Sequence, residues 1–237
     1  LKFIPDLKNR STELEFMDNI ECDKMMLFQT LSDFAFVNKW LSRSRYLINR
    51  FIINDIKEKQ LSSVSIVDIG SGGGDIPLWL YNELNKNKIS AQIYCLDNDE
   101  RCIEYSSKKL SKYNNIKILK LSAFELDTIQ FPVHYIFANH FLHHIETNQI
   151  SEILCKINNK ALFGFLINDL SRSYISYAAY SLLRPLFSKD SFTYEDGLLS
   201  ICKGFKNKEL HNLIKVTDIH NSKVFRIMPG RCVITNL

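Results

Sequence analysis

Apolar residues along this chain follow two alternating periods, one helical and one strand-like. Leu27, Leu31, Phe34, Leu41 and Ile48 keep helical spacing, with Asp23 placed to cap the first turn. Val64, Ile66, Val67 and Ile69 then form a β-branched run that reads as a buried strand. Strand and helix alternate from there: a helix over 75–86, a strand over 91–96, a helix over 100–113 capped by Asp99, and a strand over 116–121. A strand over 133–138, a helix over 147–158 and a strand over 160–168 follow. This alternation predicts an α/β chain with a largely parallel sheet.

Beyond it, residues 171–187 read as a helix with two stripes. Ile175, Ala179, Leu182 and Leu186 make one; Tyr174, Tyr177, Ser181 and Arg184 make the other, and Pro185 ends the helix. Residues 188–206 carry Asp190, Asp196 and Gly197 and read as a loop with turn chemistry. A helix starts near Asn207, and 214–220 and 223–234 read as two strands turning at Asn221 and Ser222.

Composition narrows the class. With 237 residues, 46% of them apolar, the chain has material for one large α/β core. A formal charge of +4, scattered and not striped, gives no ground for nucleic acid. The six cysteines, at 22, 95, 102, 155, 202 and 232, form no Cys-x-x-Cys pair, which argues for reduced thiols in a cytoplasmic protein. No apolar run reaches the ~18–20 residues of a membrane span, so no integral membrane contact is expected. The chain opens at Leu1, so a short leader is not judged.

The chemistry concentrates at Ser65–Trp79. A buried strand meets glycines at 70, 72, 73 and 74, and Asp75 and Pro77 begin a helix, with Asp75 as its N-cap. Strand, glycine turn and helix place backbone N–H groups against a ligand. A dinucleotide fingerprint needs glycine at 75, where Asp75 stands and repels a pyrophosphate. Asp97, just past the second strand and beside Asn98, is placed to accept from ribose hydroxyls. Asn139 to Ile145 leave the C-terminal end of a strand, where open α/β sheets bind ligands, and contain His140, His143 and His144. His140 and His144 stand four apart, but Glu146 alone offers a third ligand nearby, so no metal is expected. A base or positioning role for His144 or His143 and a structural role both remain open. His144 is favoured of the two as lying deeper in the cavity.

Asp68-x-Gly70-x-Gly72-x-Gly74, with Asp97 and the Asn139-x-x-Leu-His-His run, resembles the class I S-adenosylmethionine (SAM) methyltransferases. The segments at 168–172 and 196–200 are similar to bacterial small-molecule enzymes of the ubiquinone/menaquinone methylase group. The resemblance implies a Rossmann-like fold: a seven-stranded, mostly parallel sheet with an antiparallel C-terminal hairpin. It implies an N-terminal helical lid over 1–60, a SAM-binding domain over 61–237 and a helical substrate-cap insertion at 171–205. SAM, with S-adenosylhomocysteine as product, is then held by Asp68, Gly70, Ser71, Gly72, Gly74, Asp75, Ile76, Asp97, Asn98, Ala123, Phe124, Asn139, His140 and Phe141. Ser122 and His134 stand where the family carries acids.

Trp40, in the lid, is expected to face the acceptor. The stripe of Tyr174, Tyr177 and Arg184, with Arg172, is expected either to wall the substrate pocket or to face solvent. The reaction implied is in-line methyl transfer to the oxygen of a small aromatic or enolic molecule, by a monomer or homodimer. C-methylation of a quinol-type ring and a non-catalytic SAM-binding module are the alternatives; a NAD-linked oxidoreductase ranks below them. No Asp/Asn-Pro-Pro-Tyr or Pro-Cys motif of nucleic-acid methylating enzymes is present.

Overall fold

The computed structural model describes residues 5–217, 219 and 221–237. An irregular segment with one 3₁₀ turn at Phe16–Asp18 leads into α1 (Lys24–Trp40). Asp23 caps α1 by accepting from the Met26 N–H at 2.8 Å. A helical run follows, made of α2 (Ser44–Leu47), a π-helical stretch at Ile48–Ile53 and α3 (Asn54–Glu58). The alternating part comprises β1 (Ser63–Ile69), α4 (Asp75–Lys86), β2 (Ser90–Asp97), α5 (Glu100–Leu110), β3 (Ile116–Lys120), β4 (Val133–Asn139), α6 (Ile150–Lys160) and β5 (Ala161–Leu170). Then come α7 (Tyr174–Ser181), α8 (Thr193–Lys203), α9 (Asn207–Thr217), β6 (Lys223–Ile227) and β7 (Arg231–Thr235).

The seven strands form one sheet in the order β3-β2-β1-β4-β5-β7-β6. β1 to β5 pair in parallel, and β7 runs antiparallel to both β5 and β6. This is the Rossmann-like sheet with its antiparallel hairpin, as expected from the sequence. β1 is buried on both faces from Ile66 to Ile69, which is why Ile66 and Val67 are apolar in succession. Val64 and Ile66 pack under α4 and the 44–58 helical run, whereas Val67 and Ile69 pack toward α6. Leu47, Ile48, Ile52 and Ile56 are fully buried there, so residues 44–58 are a layer of the core. Only the part of 1–60 that precedes them is free to cover the site.

Three expectations are corrected. The helix expected over 171–187 stops at Ser181, with a separate 3₁₀ turn at Arg184–Leu186. The apolar stripe of Ile175, Ala179, Leu182 and Leu186 is on the surface: Ile175 is 75% and Leu182 79% exposed. The expected loop at 188–206 contains α8, which buries Tyr194, Ile201 and Cys202. Finally, residues 214–217 continue α9 instead of starting a strand, while 218 and 220 lie outside the described residues. The hairpin turns at Met228–Gly230, where Gly230 has φ +54°. The breaker signal of Pro229-Gly230 outweighs that of Asn221-Ser222.

The excursion from the sheet after β5 closes at its neck. Ser171 and Phe205 form an isolated parallel bridge, the Arg172 N–H donates to Phe205 O, and the Phe205 N–H donates to Leu170 O.

Candidate active site

β1 ends in the glycine turn at the C-terminal edge of the sheet. Gly72 takes φ +48°, a left-handed conformation open to glycine, and its N–H donates to Asp97 Oδ2 at 2.9 Å. Gly74 (φ +67°) is the residue that precedes α4, and Asp75 is its first helical residue, so the cap falls one position earlier than expected. Asp97 Oδ1 accepts from the Asp99 N–H at 3.0 Å, fixing its carboxylate beside the turn.

Three carboxylates crowd beneath this turn. Burial, then the charges of Asp75 and Asp97, hold the Asp68 carboxyl well above the usual range. Burial raises Asp75 and Asp97 as well. Such a cluster repels an anion and favours a cationic ligand.

An amide chain runs across the floor. Asn38 of α1 donates to Asp75 Oδ1 at 3.0 Å and accepts from Asn139 Nδ2 at 2.9 Å. Asn168 Nδ2 donates to Asn139 Oδ1 at 2.7 Å, and the buried Arg231 donates to Asn168 Oδ1 at 3.2 Å. Asp75 Oδ2, His140 Nε2 and Glu15 Oε1 are buried and have no hydrogen-bond partner among the described residues. Asn38, Asp75, Asn139, His140 and Glu15 line the same cavity, about 840 Å³ in volume, with Asn168 and Arg231 behind them. Unpartnered buried polar atoms facing a cavity mark a place built for ligand contacts.

After β4, His140 adopts φ +56° and its N–H donates to Asn168 O at 3.0 Å. This bend turns Leu142–His144 into a 3₁₀ turn. His143 is thereby buried, 2% exposed, with Nδ1 2.7 Å from Asp169 Oδ1 and its backbone N–H donating to Asp169 Oδ2 at 3.2 Å. A carboxylate at Nδ1 selects the Nδ1–H tautomer and leaves the lone pair on Nε2. Burial holds the His143 imidazole below the ordinary histidine value despite Asp169. Asp169 itself is held low by His143 in spite of its own burial.

His144 sits further out, its side chain 27% exposed, with Nδ1 3.0 Å from Asp18 Oδ2. Burial pulls its pKa down, but Glu15 and Asp18 more than offset this and raise it. His143 is therefore the deeper of the two, reversing the expected order, because the tight turn swings the later residue outward.

The cavity is lined by Asp68, Gly70, Ser71, Gly72, Asp75, Ile76, Asp97, Asn98, Ala123, Phe124, Asn139, His140, Phe141, His143 and His144. Gly74 lies just outside the lining, against Leu110. The acceptor-facing expectations do not meet there. Arg172 is buried elsewhere, donating to Leu7 O at 3.2 Å and Gly204 O and pairing with Glu209. Trp40 is 61% exposed beneath the Lys39 ammonium. Arg184 stacks over Tyr194 and pairs with Glu195 at 3.6 Å. Tyr174 is 57% exposed, and Tyr177 is outside the lining.

The walls opposite the glycine turn come instead from Leu14, Glu15, Met17 and Asp18, from Phe34 of α1, and from Tyr180, Asp196 and Ile201. The segment before α1 is fastened there. Phe16 and Met17 N–H groups donate to Asp196 at 2.7 and 3.0 Å, and Arg10 donates to His143 O at 2.9 Å and Ile145 O at 3.1 Å. No hydrophobic period runs through residues 5–22, so the sequence carried no signal for these contacts beyond single acids and an arginine.

Residues 66–160 match the model of a family described as a methyltransferase domain. No curated protein sequence matches the chain. Among solved structures, the plantazolicin methyltransferase BpumL in complex with SAH is similar with a TM-score of 0.62 at 16% identity, over 90% of this chain and 93% of that one. Human N-acetylserotonin methyltransferase in complex with SAM aligns with a TM-score of 0.61 at 12% identity, over 90% of this chain and 56% of that one. The CurJ carbon methyltransferase aligns with a TM-score of 0.64 at 14% identity, over 91% and 61%. These likenesses are of fold.

Proposed function

We propose, from the premise that this chain carries a SAM-dependent methyltransferase domain of class I fold, that it methylates the oxygen of a small aromatic or enolic acceptor. The residues present fit the cofactor. The Asp68, Asp75 and Asp97 carboxylates suit a ligand with a sulfonium and an ammonium group, and Asp75 Oδ2 is a buried acceptor in want of a donor. Asp97, Asn98, Ala123 and Phe124 line the same cavity, which supports assigning the ribose hydroxyls to the first two and the adenine to the last two. When bound, SAM supplies a methyl group on a cationic sulfur that leaves readily.

The protein's part is then to align the acceptor and take its proton. The observation that carries the reading is the His143–Asp169 pair at the cavity wall. A neutral imidazole with its Nε2 lone pair free is a base matched to a phenol or enol. Asp169 stabilises the imidazolium that forms, and the covered cavity limits water at the reacting oxygen. The segment 5–22 and the excursion 171–205 form the acceptor's cover.

Named neighbours include a carbon methyltransferase as well as enzymes without that label, and C-methylation of a quinol-type ring follows from the same base. A panel of phenols, pyrones and quinols, assayed with SAM and read by product mass and fragmentation, tests the reading. O-methylated product from the native chain, lost in His143→Ala, supports it; C-methylated product or none from a SAM-binding chain rejects it.

A further inference from the structure

We infer that Glu15, His143 and His144 form a binding site for a divalent transition metal of the zinc type. One ligand atom from each residue lies within 4.8 Å of the others. His143 Nε2 and Glu15 Oε1 are 3.6 Å apart, close to the ~3.4 Å edge of a tetrahedron with zinc–ligand bonds of ~2.0–2.1 Å. Two histidines and a glutamate are a donor set suited to zinc with one position left open.

The histidines are also oriented as metal ligands are. Each has Nδ1 on a carboxylate, His143 on Asp169 at 2.7 Å and His144 on Asp18 at 3.0 Å, which leaves Nε2 as the donor of both. That arrangement fixes the tautomer and strengthens the ligand. Glu15 is 2% exposed, and its Oε1 accepts no hydrogen bond. Its backbone is held on the C-terminal side, where the Phe16 and Met17 N–H groups donate to Asp196.

The local charge asks for a cation. Four carboxylates, Glu15, Asp18, Asp169 and Asp196, face three cations, Lys203, Arg10 and Arg231. The Lys203 ammonium lies 3.3 Å from Glu15 Oε1 and 3.7 Å from Asp18 Oδ2, occupying the margin of the site. A metal displaces it, so Lys203 sets the affinity. The third ligand was not visible beside the histidines because it arrives from the segment ahead of α1. Metal and proton compete for the same His143 lone pair, so loading inhibits the methyl transfer proposed above. That consequence rests on the proposed function; the binding does not.

The test is a titration of the tag-free chain with Co²⁺, followed by its visible d–d absorption and back-titrated with Zn²⁺, with no acceptor present. One Co²⁺ per chain with an intense tetrahedral band, displaced by Zn²⁺, is expected. Glu15→Gln, which keeps the shape of the side chain, should weaken binding at least tenfold, and Lys203→Met should tighten it by a similar factor. Absence of the band in the native chain overturns the site, as does unchanged affinity in Glu15→Gln or loss of binding in a folded Lys203→Met variant. Because no methyl transfer is measured, such a result leaves the proposed function standing.

Discussion

Asn38 donates to Asp75 Oδ1 at 3.0 Å and accepts from Asn139 at 2.9 Å, so one amide in α1 joins the helix after the glycine turn to the end of β4. All three side chains are buried. Replacing Asn38 by Ala leaves a buried carboxylate and a buried amide unpaired, at ~1–3 kcal/mol for each orphaned group. Asn38→Ala should therefore lower stability by at least ~1 kcal/mol in denaturant titration and weaken SAM in calorimetry. Asn38→Asp, which sets a charge against Asp75, should be worse than Ala for stability.

Asp97 holds two backbone N–H groups and faces the cavity. With charge-assisted bonds at ~1.5–3 kcal/mol, losing the contacts to a diol should weaken S-adenosylhomocysteine by well over tenfold in Asp97→Ala. Calorimetry checks this, with circular dichroism confirming the fold. Unchanged affinity would move the ribose contact to Asn98 or Asp99.

Asp68 gives a pH signature with a definite sign. Its folded pKa is raised, by burial first and by Asp75 and Asp97 next, so the folded ligand-free chain holds this proton more tightly than the unfolded chain. Stability from this group therefore rises as pH falls through the raised pKa and levels off near the unfolded value of ~3.9. Thermal melts across that window should show the native chain gaining on Asp68→Asn as pH falls. SAM affinity should move the opposite way, weakening in acid as the carboxylates lose charge.

For His143, the lowered pKa places the rising limb of kcat/KM below the ordinary histidine value of ~6.5. His143→Ala should cost ~10²–10⁴-fold in turnover, the range for a positioned base, with SAM affinity little changed. His144→Ala should cost less, since its raised pKa keeps it protonated where His143 is neutral. Equal turnover in native chain and His143→Ala would assign the rate to proximity alone.

Arg172 predicts stability and not binding. Its guanidinium serves the carbonyls of Leu7 and Gly204 and pairs with Glu209. Arg172→Ala orphans two carbonyls and should cost at least ~2 kcal/mol in chemical denaturation, without altering calorimetric SAM affinity.

What was legible followed from local rules. The run Val64–Ile69, the glycines and Asp97 each carry strand, turn or cap signals within a few residues, and they converge because a parallel sheet gathers its strand ends at one edge. Asp75 was legible as an acid at a helix start, though Gly74 takes the cap. The cavity wall built by residues 14–18 and α8 was not legible because it depends on long-range docking. Glu15 and Asp18 lie in a segment without periodicity, and their neighbours, Asp196 and Lys203, sit in a helix that the turn residues Asp190 and Gly197 disguised. Arg172 misled for a physical reason: an arginine at a strand end serves carbonyl groups as readily as a ligand. The stripe on 171–187 failed because Leu182 and Leu186 fall beyond the end of α7 and lie exposed.

The bridge between Ser171 and Phe205 has a consequence for how such a chain can change. Entry to and exit from the excursion are tied to each other and to β5, so residues between them can be lengthened, shortened or exchanged while the sheet sees the same two strand ends. The glycine turn and Asp97 lie on the far side of that tie. A cassette of residues 173–203 that keeps the Asp196 anchor can thus be exchanged without renegotiating how the methyl donor is held.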